Sequence, residues 1–512
     1  FEQLSASVQN MLEKDNWIFN TGYQLTSASE NGHERSMYSV FGSLQLAFRE
    51  YLSLDLTARN DWSSTLPKDN RSFFYPSASL SYIFSDFMRS IEHPLPAWVT
   101  FAKTRLSFAQ VGKDPNPYNL YNTRRYTFEN GIRVPIPQTV KMNNNLKPEI
   151  KSSFEWGLEM KFLENRLGFD FTYYYTKTKN QAMLVDASAP WSQQWVNAGK
   201  ITNKGVELML YGTPVKTKDF NFDLTMNFSK NISRVDELAN GVDHIYFNGD
   251  SNMPVKVGAR AGGKLGDIYA NNLLKRDANG QMIIGEDGLP MPVTSADAGG
   301  NLEQYILDHP IGNIEPKLLM SVTPSLNYKG VSLTAMFDMR FGGEVVSVSE
   351  GMATSVGTSE RTAYRGEYKE LNGVKDYYMV APGVTADGQP NTKEVSAQAY
   401  YSHIGLYKAQ KGFAEMFVHS ASYIKLKELA LGYSLPKSLL RKTPLTNVKL
   451  SFVARNLLSL IHISEPTRRR LRHLYVLSGP RLRCRALYSY IRLLSQCSFL
   501  NPITFTSNRL TQ

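Results

Sequence analysis

The sequence predicts an all-β protein, a transmembrane antiparallel β-barrel, from four observations. Aromatic residues make up 12% of the 512 residues, although the mean hydropathy is only −0.33. Many runs alternate apolar and polar residues over roughly ten positions, which is enough for one barrel strand to cross a bilayer. No run approaches the roughly 18 apolar residues of a transmembrane helix. Short and long connections alternate between the runs, which places the long loops on one side.

The clearest run is the hairpin from Phe154 to Lys177, with its turn at Glu164-Asn165. In its second strand the odd-numbered residues are apolar or aromatic, whereas the even-numbered residues are small or polar, and only Tyr174 interrupts the pattern. The two rows are Leu167, Phe169, Phe171, Tyr173 and Tyr175 on one face, and Gly168, Asp170, Thr172 and Thr176 on the other. A period of two predicts a β-strand with one apolar and one polar face. In a barrel the apolar row faces lipid and the polar row lines the lumen.

Similar runs predict about thirteen strands in all, with the hairpin supplying the sixth and seventh. The strands before the hairpin are Trp17 to Ser29, Ser36 to Phe48, Tyr51 to Asp61, Phe74 to Phe84, and Trp98 to Gly112. Those after it are Ile201 to Gly212, Phe220 to Ser233, Lys317 to Tyr328, Val331 to Phe341, Tyr423 to Leu435, and Val448 to Asn456. The expected loops include Asn180 to Gly199 and Asn231 to Glu315. A soluble barrel or sandwich shares this period, so alternation alone leaves open which face is inside.

The net charge of +11 is concentrated in residues 461–512, which hold nine Arg, no Lys and one acidic residue. The remainder has 48 basic and 45 acidic residues, a net charge of +3, so nucleic acid is not an expected partner. Both cysteines, Cys484 and Cys497, also lie in that tail. The chain opens at Phe1 without signal-peptide features, and we expect a signal peptide to precede it.

No catalytic motif is present, and we do not expect an enzyme. Asp114, Asp170 and Asp223 are interpreted as lumenal polar groups rather than as paired catalytic carboxylates. One acidic stretch suggests an oxygen-ligand site for calcium, a hard cation, but its spacing is not that of an EF-hand. Its residues are Asp277, Asn279, Gly280, Glu286 and Asp287. A hairpin with two tight turns is the favoured interpretation, so no cofactor or metal is expected and calcium is the alternative.

Five long strings closely resemble the SusC-like (RagA/SusC type) TonB-dependent outer-membrane transporters, in the order expected for that family. They are Asn143 to Gln181, Asn197 to Leu210, His309 to Gly343, Ala421 to Pro436, and Val453 to Leu458. The resemblance covers about Trp17 to Leu460. It implies a 22-strand barrel with an N-terminal plug, of which residues 1–460 would be a C-terminal fragment. Within it, Gly205 and Gly432 are expected to allow close approach of neighbouring groups.

This resemblance implies import of oligosaccharides or peptides across the outer membrane of a Gram-negative bacterium. The implied partners are outer-membrane lipid, a SusD-like lipoprotein lid, and TonB through an N-terminal region outside this chain. A receptor for iron chelates or vitamins remains an alternative within transport, and a surface β-rich adhesin is the alternative from another class.

Four aromatic residues in the predicted extracellular loops are candidates for ligand or lid contact: Trp191, Trp195, Tyr118 and Tyr121. Exposed aromatic rings stack on sugar faces, and binding residues concentrate on such loops. The alternative is that these residues belong to the interface girdle or pack within the loops.

The resemblance ends abruptly after Leu460. Residues 461–512 change in composition, and the string IHISEPT resembles a translated sequencing adapter. We therefore expect this tail to be non-native sequence. The alternative, a basic amphipathic surface segment, is interrupted by Pro466 and Pro480.

Overall fold

The computed structural model describes residues 2–11, 22–32, 34–122, 125–129, 132–187, 189–239, 241–247, 253–407, 412–441, 445 and 447–461. The predicted non-native tail therefore lies outside the described residues from position 462 onward. So does the beginning of the first predicted strand, Trp17 to Ser29, of which residues 22–29 fall in a described strand.

Long β-strands dominate the described part of the chain and confirm the all-β prediction. The long strands, in order, are β1 (Glu2–Met11), β2 (Gly22–Gly32), β3 (Met37–Phe48), β4 (Leu52–Ser63), β5 (Ser72–Ile83), β6 (Val99–Lys113), β7 (Glu149–Phe162), β8 (Leu167–Asp186), β9 (Gln193–Lys216), β10 (Phe220–Glu237), β11 (Leu318–Tyr328), β12 (Val331–Phe341), β13 (Tyr423–Ser434) and β14 (Lys449–Ile461). Strands β3 to β14 form one antiparallel sheet in chain order, whereas β1 pairs with β2. The β1 strand was not predicted. Each wall strand thus lies beside its sequence neighbour, as in an up-and-down barrel wall.

Strands β7 and β8 form the predicted hairpin. Phe162 pairs with Leu167 next to the turn, and Ile150 pairs with Lys179 at the far end. The turn comprises residues 163–166 rather than Glu164-Asn165 alone, because Leu163, Glu164 and Asn165 all have positive φ angles of 54°, 57° and 65°. Asparagine adopts this left-handed conformation more readily than most residues, which suits the last of these positions.

Strands β8 and β9 are longer than the sequence suggested, with 20 and 24 residues. Most of the predicted loop Asn180 to Gly199 is strand, and only residues 187–192 connect the two. The positive φ angles of Asn180 and Gly199 interrupt the alternation without ending the pairing. This hairpin therefore extends well beyond the length needed to cross a bilayer.

Alternate connections lie at the same end of an antiparallel meander. One end carries residues 49–51, 84–98, 163–166, 217–219, 329–330 and 435–448, which include the helices α1 (Phe84–Ser90) and a second short helix, Lys437–Leu440. The other end carries residues 64–71, 114–148, 187–192, 238–317 and 342–422. The three longest loops share one end, as predicted, and we call this the long-loop end.

The described residues within 238–317 and 342–422 fold together into a compact unit, which we call the loop domain. Its helices are Leu302–Asp308, Val348–Ser355 and Ala397–Ile404, with 3-10 turns at Glu360–Ala363 and Ala414–Phe417. Its short strands are His244–Tyr246, Val255–Arg260, Leu265–Ala270, Gly312–Asn313, Glu344–Val346, Glu367–Leu371, Val374–Val380, Glu394–Ser396 and Val418–Ser420. The remaining short elements lie near residues 64–148: Lys68–Asn70, Arg125–Glu129, Ile132–Ile136 and Val140–Lys141.

The loop domain has cores of its own that join the two loops. Leu274 and Ile284 from the first loop pack with Tyr400 and Phe413 from the second, and Leu273 packs in another cluster with residues of both loops. The sequence had suggested only long connections here, because these contacts join residues more than a hundred positions apart. No helix in the described residues is long and apolar enough to span a membrane.

Candidate functional site

The two faces of the wall differ in what covers them at the long-loop end. Thr176 and Thr178 on β8 and Ser233 and Val235 on β10 are buried. Val235 packs in a cluster with Ala259 and other residues of the loop domain. These residues belong to the polar row of each strand, so the loop domain lies over the polar face. The opposite apolar face stays uncovered, with Leu167 44% and Tyr175 40% exposed. We therefore take the apolar face as outward and the polar face as lumenal.

An ion pair crosses three neighbouring strands on the lumenal face. Arg105 of β6 donates to both carboxylate oxygens of Asp170 on β8, over 2.6 and 3.1 Å, and to the Thr172 hydroxyl over 2.8 Å. Its side chain passes above Gly157 of β7, where a Cβ atom would overlap it. A bidentate guanidinium–carboxylate contact fixes the orientation of both side chains. Glycine at position 157 is therefore required for this polar bridge.

A second lumenal bridge connects the wall to the loop domain. The Tyr174 hydroxyl passes over Gly205 of β9 and donates to the Asn231 side chain of β10 over 3.0 Å. Asn231 in turn donates to Glu315 over 2.6 Å, and the same carboxylate accepts the Ser233 hydroxyl over 2.9 Å. Glu315 lies where the first long loop returns to the wall, so this chain of bonds anchors that loop. The predicted close approach at Gly205 is confirmed.

A buried carboxylate fixes the beginning of the 114–148 loop. Asp114, with only 5% of its side chain exposed, accepts two bonds from Arg35 over 2.7 and 3.0 Å. It also accepts hydrogen bonds from the hydroxyls of Ser63, at the end of β4, and Thr65, in the loop that follows. The carboxylate of Asp223 belongs to a separate network, in which it accepts hydrogen bonds from the Thr213 hydroxyl over 2.7 Å and from the Asn221 side-chain amide. The three aspartates of the lumenal interpretation thus serve three different local networks.

The loops that carry the candidate aromatic residues contact one another. Ser192 donates its amide hydrogen to the Thr139 carbonyl over 2.8 Å, and Val140–Lys141 pairs in parallel with the beginning of β9. The Asn122 side chain donates to the Val140 carbonyl over 2.7 Å. Residues 118–122 and 189–195 are therefore held at the same part of the long-loop end.

The four candidate aromatic residues differ in their surroundings. Tyr118 and Tyr121 are each 63% exposed, and the Tyr118 hydroxyl accepts the Glu34 amide hydrogen over 3.0 Å. Trp191 lies in the 187–192 loop and is half-buried. Trp195 was expected in a loop, and this expectation was wrong. It lies on β9, because the pairing of β8 with β9 continues past Gly199. It packs against the buried cluster of Leu66, Phe73 and Leu146.

The calcium alternative falls on two tight turns of the loop domain. Asp277 accepts the amide hydrogens of Asn279 and Gln281 over 2.9 and 2.7 Å, and Asp287 accepts that of Leu289 over 3.0 Å. Each carboxylate thus closes its own turn, as aspartate side chains commonly do. Within the described ranges, no group of three or more His, Cys, Asp or Glu side chains could hold a metal ion.

Two other turn positions complete this picture. Gly280 and Gly288 both have φ angles of 80°, the left-handed conformation that favours glycine. The Glu286 carbonyl accepts a bond from Lys393 of the second long loop, so this hairpin is also attached to its neighbour.

The pKa shifts of groups in the loop domain follow from burial and from local hydrogen bonds. Burial raises the pKa of Tyr269 and of Tyr400. The Lys275 ammonium, with the Thr294 amide and hydroxyl, lowers the pKa of Asp297 to about 2. Glu350, which is buried, accepts a 2.6 Å hydrogen bond from His419 and lies 3.4 Å from the Arg361 guanidinium, which supplies an opposite charge within the domain.

The sequence did not predict Arg105, Asn231, Glu315 or Glu350 as members of these networks. Arg105 and Asp170 are 65 positions apart, and only the strand register brings them together. The signal that could have identified this bridge is a glycine in the polar row of β7, which leaves space for a long side chain from a neighbouring strand.

The fold and its two faces define a β-barrel wall of the outer-membrane type. The sequence model of the family described as "TonB dependent receptor-like, beta-barrel" matches residues 8–280, and the chain belongs to that family. It is accordingly an outer-membrane protein of a Gram-negative bacterium. The family assignment decides between the membrane barrel and the soluble sandwich that the periodicity left open.

Individual relatives agree with this assignment. The chain is 26% identical over 450 residues to TonB-dependent receptor P3 of Formosa agariphila, with 83% of this chain and 41% of the relative covered. It is 25% identical over 426 residues to TonB-dependent receptor SusC of Bacteroides thetaiotaomicron, with 78% of this chain and 38% of the relative covered. The chain thus spans well under half the length of these relatives.

Solved structures agree on the fold. The RagAB peptide importer in its closed-closed state superimposes with a TM-score of 0.65 at 20% identity, covering 90% of this chain and 48% of that one. A further structure of the RagAB peptide transporter gives 0.63 at 21% identity, covering 86% and 46%. The relatives and neighbours are receptors and transporters.

Proposed function

We propose that residues 1–460 are part of an outer-membrane importer that takes up oligosaccharides or peptides through its lumen, with energy supplied through TonB. The observation that carries the proposal is the placement of the loop domain over the polar face of the wall, in a chain similar to SusC and to the RagAB peptide importer. A polar lumen beneath a folded set of loops suits a hydrated solute that enters from the long-loop end. We regard residues 461–512 as outside the functional unit.

The mouth of the pathway supplies the proposed contacts. Tyr118, Tyr121 and Trp191 contact ligand or a SusD-like lipoprotein lid, because their rings lie on two loops that hold each other in place. Aromatic side chains offer large rigid contact surfaces with a polar end. Trp195 supports them from below through the Leu66, Phe73 and Leu146 cluster.

The proposal assigns no catalysis and no bound metal to the chain. Asp114, Asp170 and Asp223 each accept bonds that fix local structure, and Asp277 and Asp287 close turns. In this proposal these aspartates maintain the shape of the import pathway and do not react with the solute.

Uptake by cells tests this function. A deletion strain would receive the full-length receptor gene in wild-type form, as Tyr118→Ala/Tyr121→Ala, or as Tyr328→Ala. Tyr328 is 53% exposed at the opposite, short-turn end and serves as the matched control. Uptake of fluorescent peptide and oligosaccharide mixtures would be measured with and without a proton-motive-force uncoupler.

We expect one solute class to depend on the gene and on the proton-motive force. The double variant should take it up more slowly at equal surface abundance, whereas Tyr328→Ala should match wild type. Equal uptake of both classes by the deletion strain would refute import. Normal uptake and lid co-purification with Tyr118→Ala/Tyr121→Ala and with Trp191→Ala/Trp195→Ala would refute the proposed contacts.

A further inference from the structure

The outward face of β8, β9 and β10 changes from apolar to basic toward the long-loop end. On β8 the outward row continues past Tyr175 to Lys177 and Lys179. In the paired strands, Lys204 of β9 lies beside Tyr175, and Lys230 of β10 lies beside Val206. We call the basic outer patch the following set: Lys177, Lys179, Lys204, Lys230 and Arg234.

The direction of these side chains follows from strand alternation. Successive residues of a strand point to opposite faces. Thr178 and Ser233, each adjacent in sequence to a member of the patch, are buried on the lumenal face. Lys179, Lys204 and Lys230 are exposed. The basic outer patch therefore lies on the surface that faces the membrane, immediately above the apolar band.

The patch is specific to these three strands among their neighbours. Register places Lys177 beside Ser152 of β7, and Ser152 beside Gln110 of β6. The next row places Lys179 beside Ile150. The same level of β7 and β6 is therefore uncharged. Basic residues that only marked the membrane boundary would be expected on those strands as well.

Carboxylates neutralise only part of this surface. Lys200 pairs with Glu237 over 3.0 Å, and Arg234 lies 4.0 Å from Asp236. In the described residues, Lys177, Lys179, Lys204 and Lys230 have no carboxylate at ion-pairing distance. Lys177 and Lys204, and likewise Lys204 and Lys230, occupy diagonal positions on neighbouring strands, about 7–8 Å apart, so these long side chains form one positively charged surface.

We propose that the basic outer patch binds the phosphorylated head groups of the outer-leaflet lipid. The apolar band below it holds the acyl chains, and phosphate groups at the head-group level complement the unneutralised lysines. Lysine is a common phosphate ligand that acts as a point charge. A basic residue near an anionic membrane surface strengthens binding roughly fivefold, so three lysines together give a factor of about 100.

The test uses the full-length receptor purified in detergent. Binding of purified lipid A and of the same lipid after phosphatase treatment would be measured by native mass spectrometry and by the shift in thermal unfolding. The variants are Lys177→Gln/Lys204→Gln/Lys230→Gln, the charge-retaining Lys177→Arg/Lys204→Arg/Lys230→Arg, and the control Lys216→Gln/Lys218→Gln, at the opposite end of β9 and in the turn that follows it. Heat-dependent gel mobility confirms that each variant is folded.

We expect wild type, the arginine variant and the control to bind lipid A, and the glutamine triple variant to bind about 100-fold more weakly. Dephosphorylated lipid should bind all forms weakly, and millimolar inorganic phosphate should not displace lipid A. Equal binding of both lipids, or equal binding by wild type and the glutamine triple variant, would overturn the proposal. Displacement by inorganic phosphate would also overturn it, because it would identify a free-anion site.

Discussion

Replacement of Gly205 by alanine should destabilise the wall by forcing Tyr174 away from Asn231. A Cβ atom at position 205 would lie 2.5 Å from the Tyr174 hydroxyl oxygen and 2.6 Å from its Cζ atom, and it would overlap the Lys230 carbonyl. The ring must therefore move by about 1 Å to restore ordinary packing distances. The lost hydrogen bond costs about 1 kcal/mol. Overpacking adds about 1–3 kcal/mol, for a total of roughly 2–4 kcal/mol.

Gly42 provides the matched control, because no atom lies within 4 Å of the position that its Cβ would occupy. Gly42→Ala should change the free energy of unfolding by less than about 1 kcal/mol, and in the stabilising direction. The assay is equilibrium urea unfolding of the full-length receptor in lipid vesicles, followed by tryptophan fluorescence and heat-dependent gel mobility.

A double-mutant cycle separates the ring from the backbone overlap. In the Tyr174→Ala background, Gly205→Ala should cost less by about 1–2 kcal/mol, because the displaced ring is absent. Equal destabilisation by Gly205→Ala and Gly42→Ala, or a cycle with no coupling, would refute the close approach of Tyr174 to Gly205.

Two further predictions concern the loops. Asp114→Ala should lower the free energy of unfolding by about 2–3 kcal/mol, because it removes the carboxylate that accepts hydrogen bonds from Arg35 and from the buried Thr65 hydroxyl, whereas Asp114→Asn should cost less. Urea unfolding and proteolysis of the 114–148 loop measure both variants. Resistance of Asp114→Ala to urea and protease equal to that of wild type would contradict the prediction. The pKa of Asp297 lies at about 2, below the ordinary 3.8, so its contribution to stability is complete above pH 3.8 and is lost as the pH falls through about 2. As the pH falls from 3.8 to about 2, hydrogen exchange of the Thr294 amide should become faster in wild type but not in Asp297→Asn. The same pH dependence of exchange in both proteins would contradict the role given to the Asp297 carboxylate.

The sequence predicted the wall well because its determinants are local. In β8 the alternation from Leu167 to Tyr175 specifies both the strand and its two faces, and the register with β7 follows from the tight turn at residues 163–166. Family resemblance extended this local evidence to the other wall strands. These features depend on side chains within a few positions of one another.

The remaining features depend on contacts distant in the sequence. The extension of β8 and β9 beyond Asn180 is stabilised where Val185, Ile201 and Val235 pack with the loop domain, which no local pattern reveals. Because the sequence did not reveal this extension, Trp195 was expected in a loop. The same limit applied to the lumenal bridges, whose partners meet only once the register of three strands is fixed.

The orientation of the wall is the central claim, and spin labels at adjacent residues of β8 test it directly. Single cysteines at Thr172 and Tyr173, introduced into the full-length receptor after any native cysteines are replaced by serine, would be labelled in lipid vesicles. Collision with lipid-soluble oxygen and with an aqueous nickel complex would be compared at each site. The label at position 173 should collide frequently with oxygen and rarely with the nickel complex, because it faces lipid. The label at position 172 should collide less often with oxygen, because it faces the lumen. A reversed pattern, or two labels equally accessible to nickel, would contradict the account.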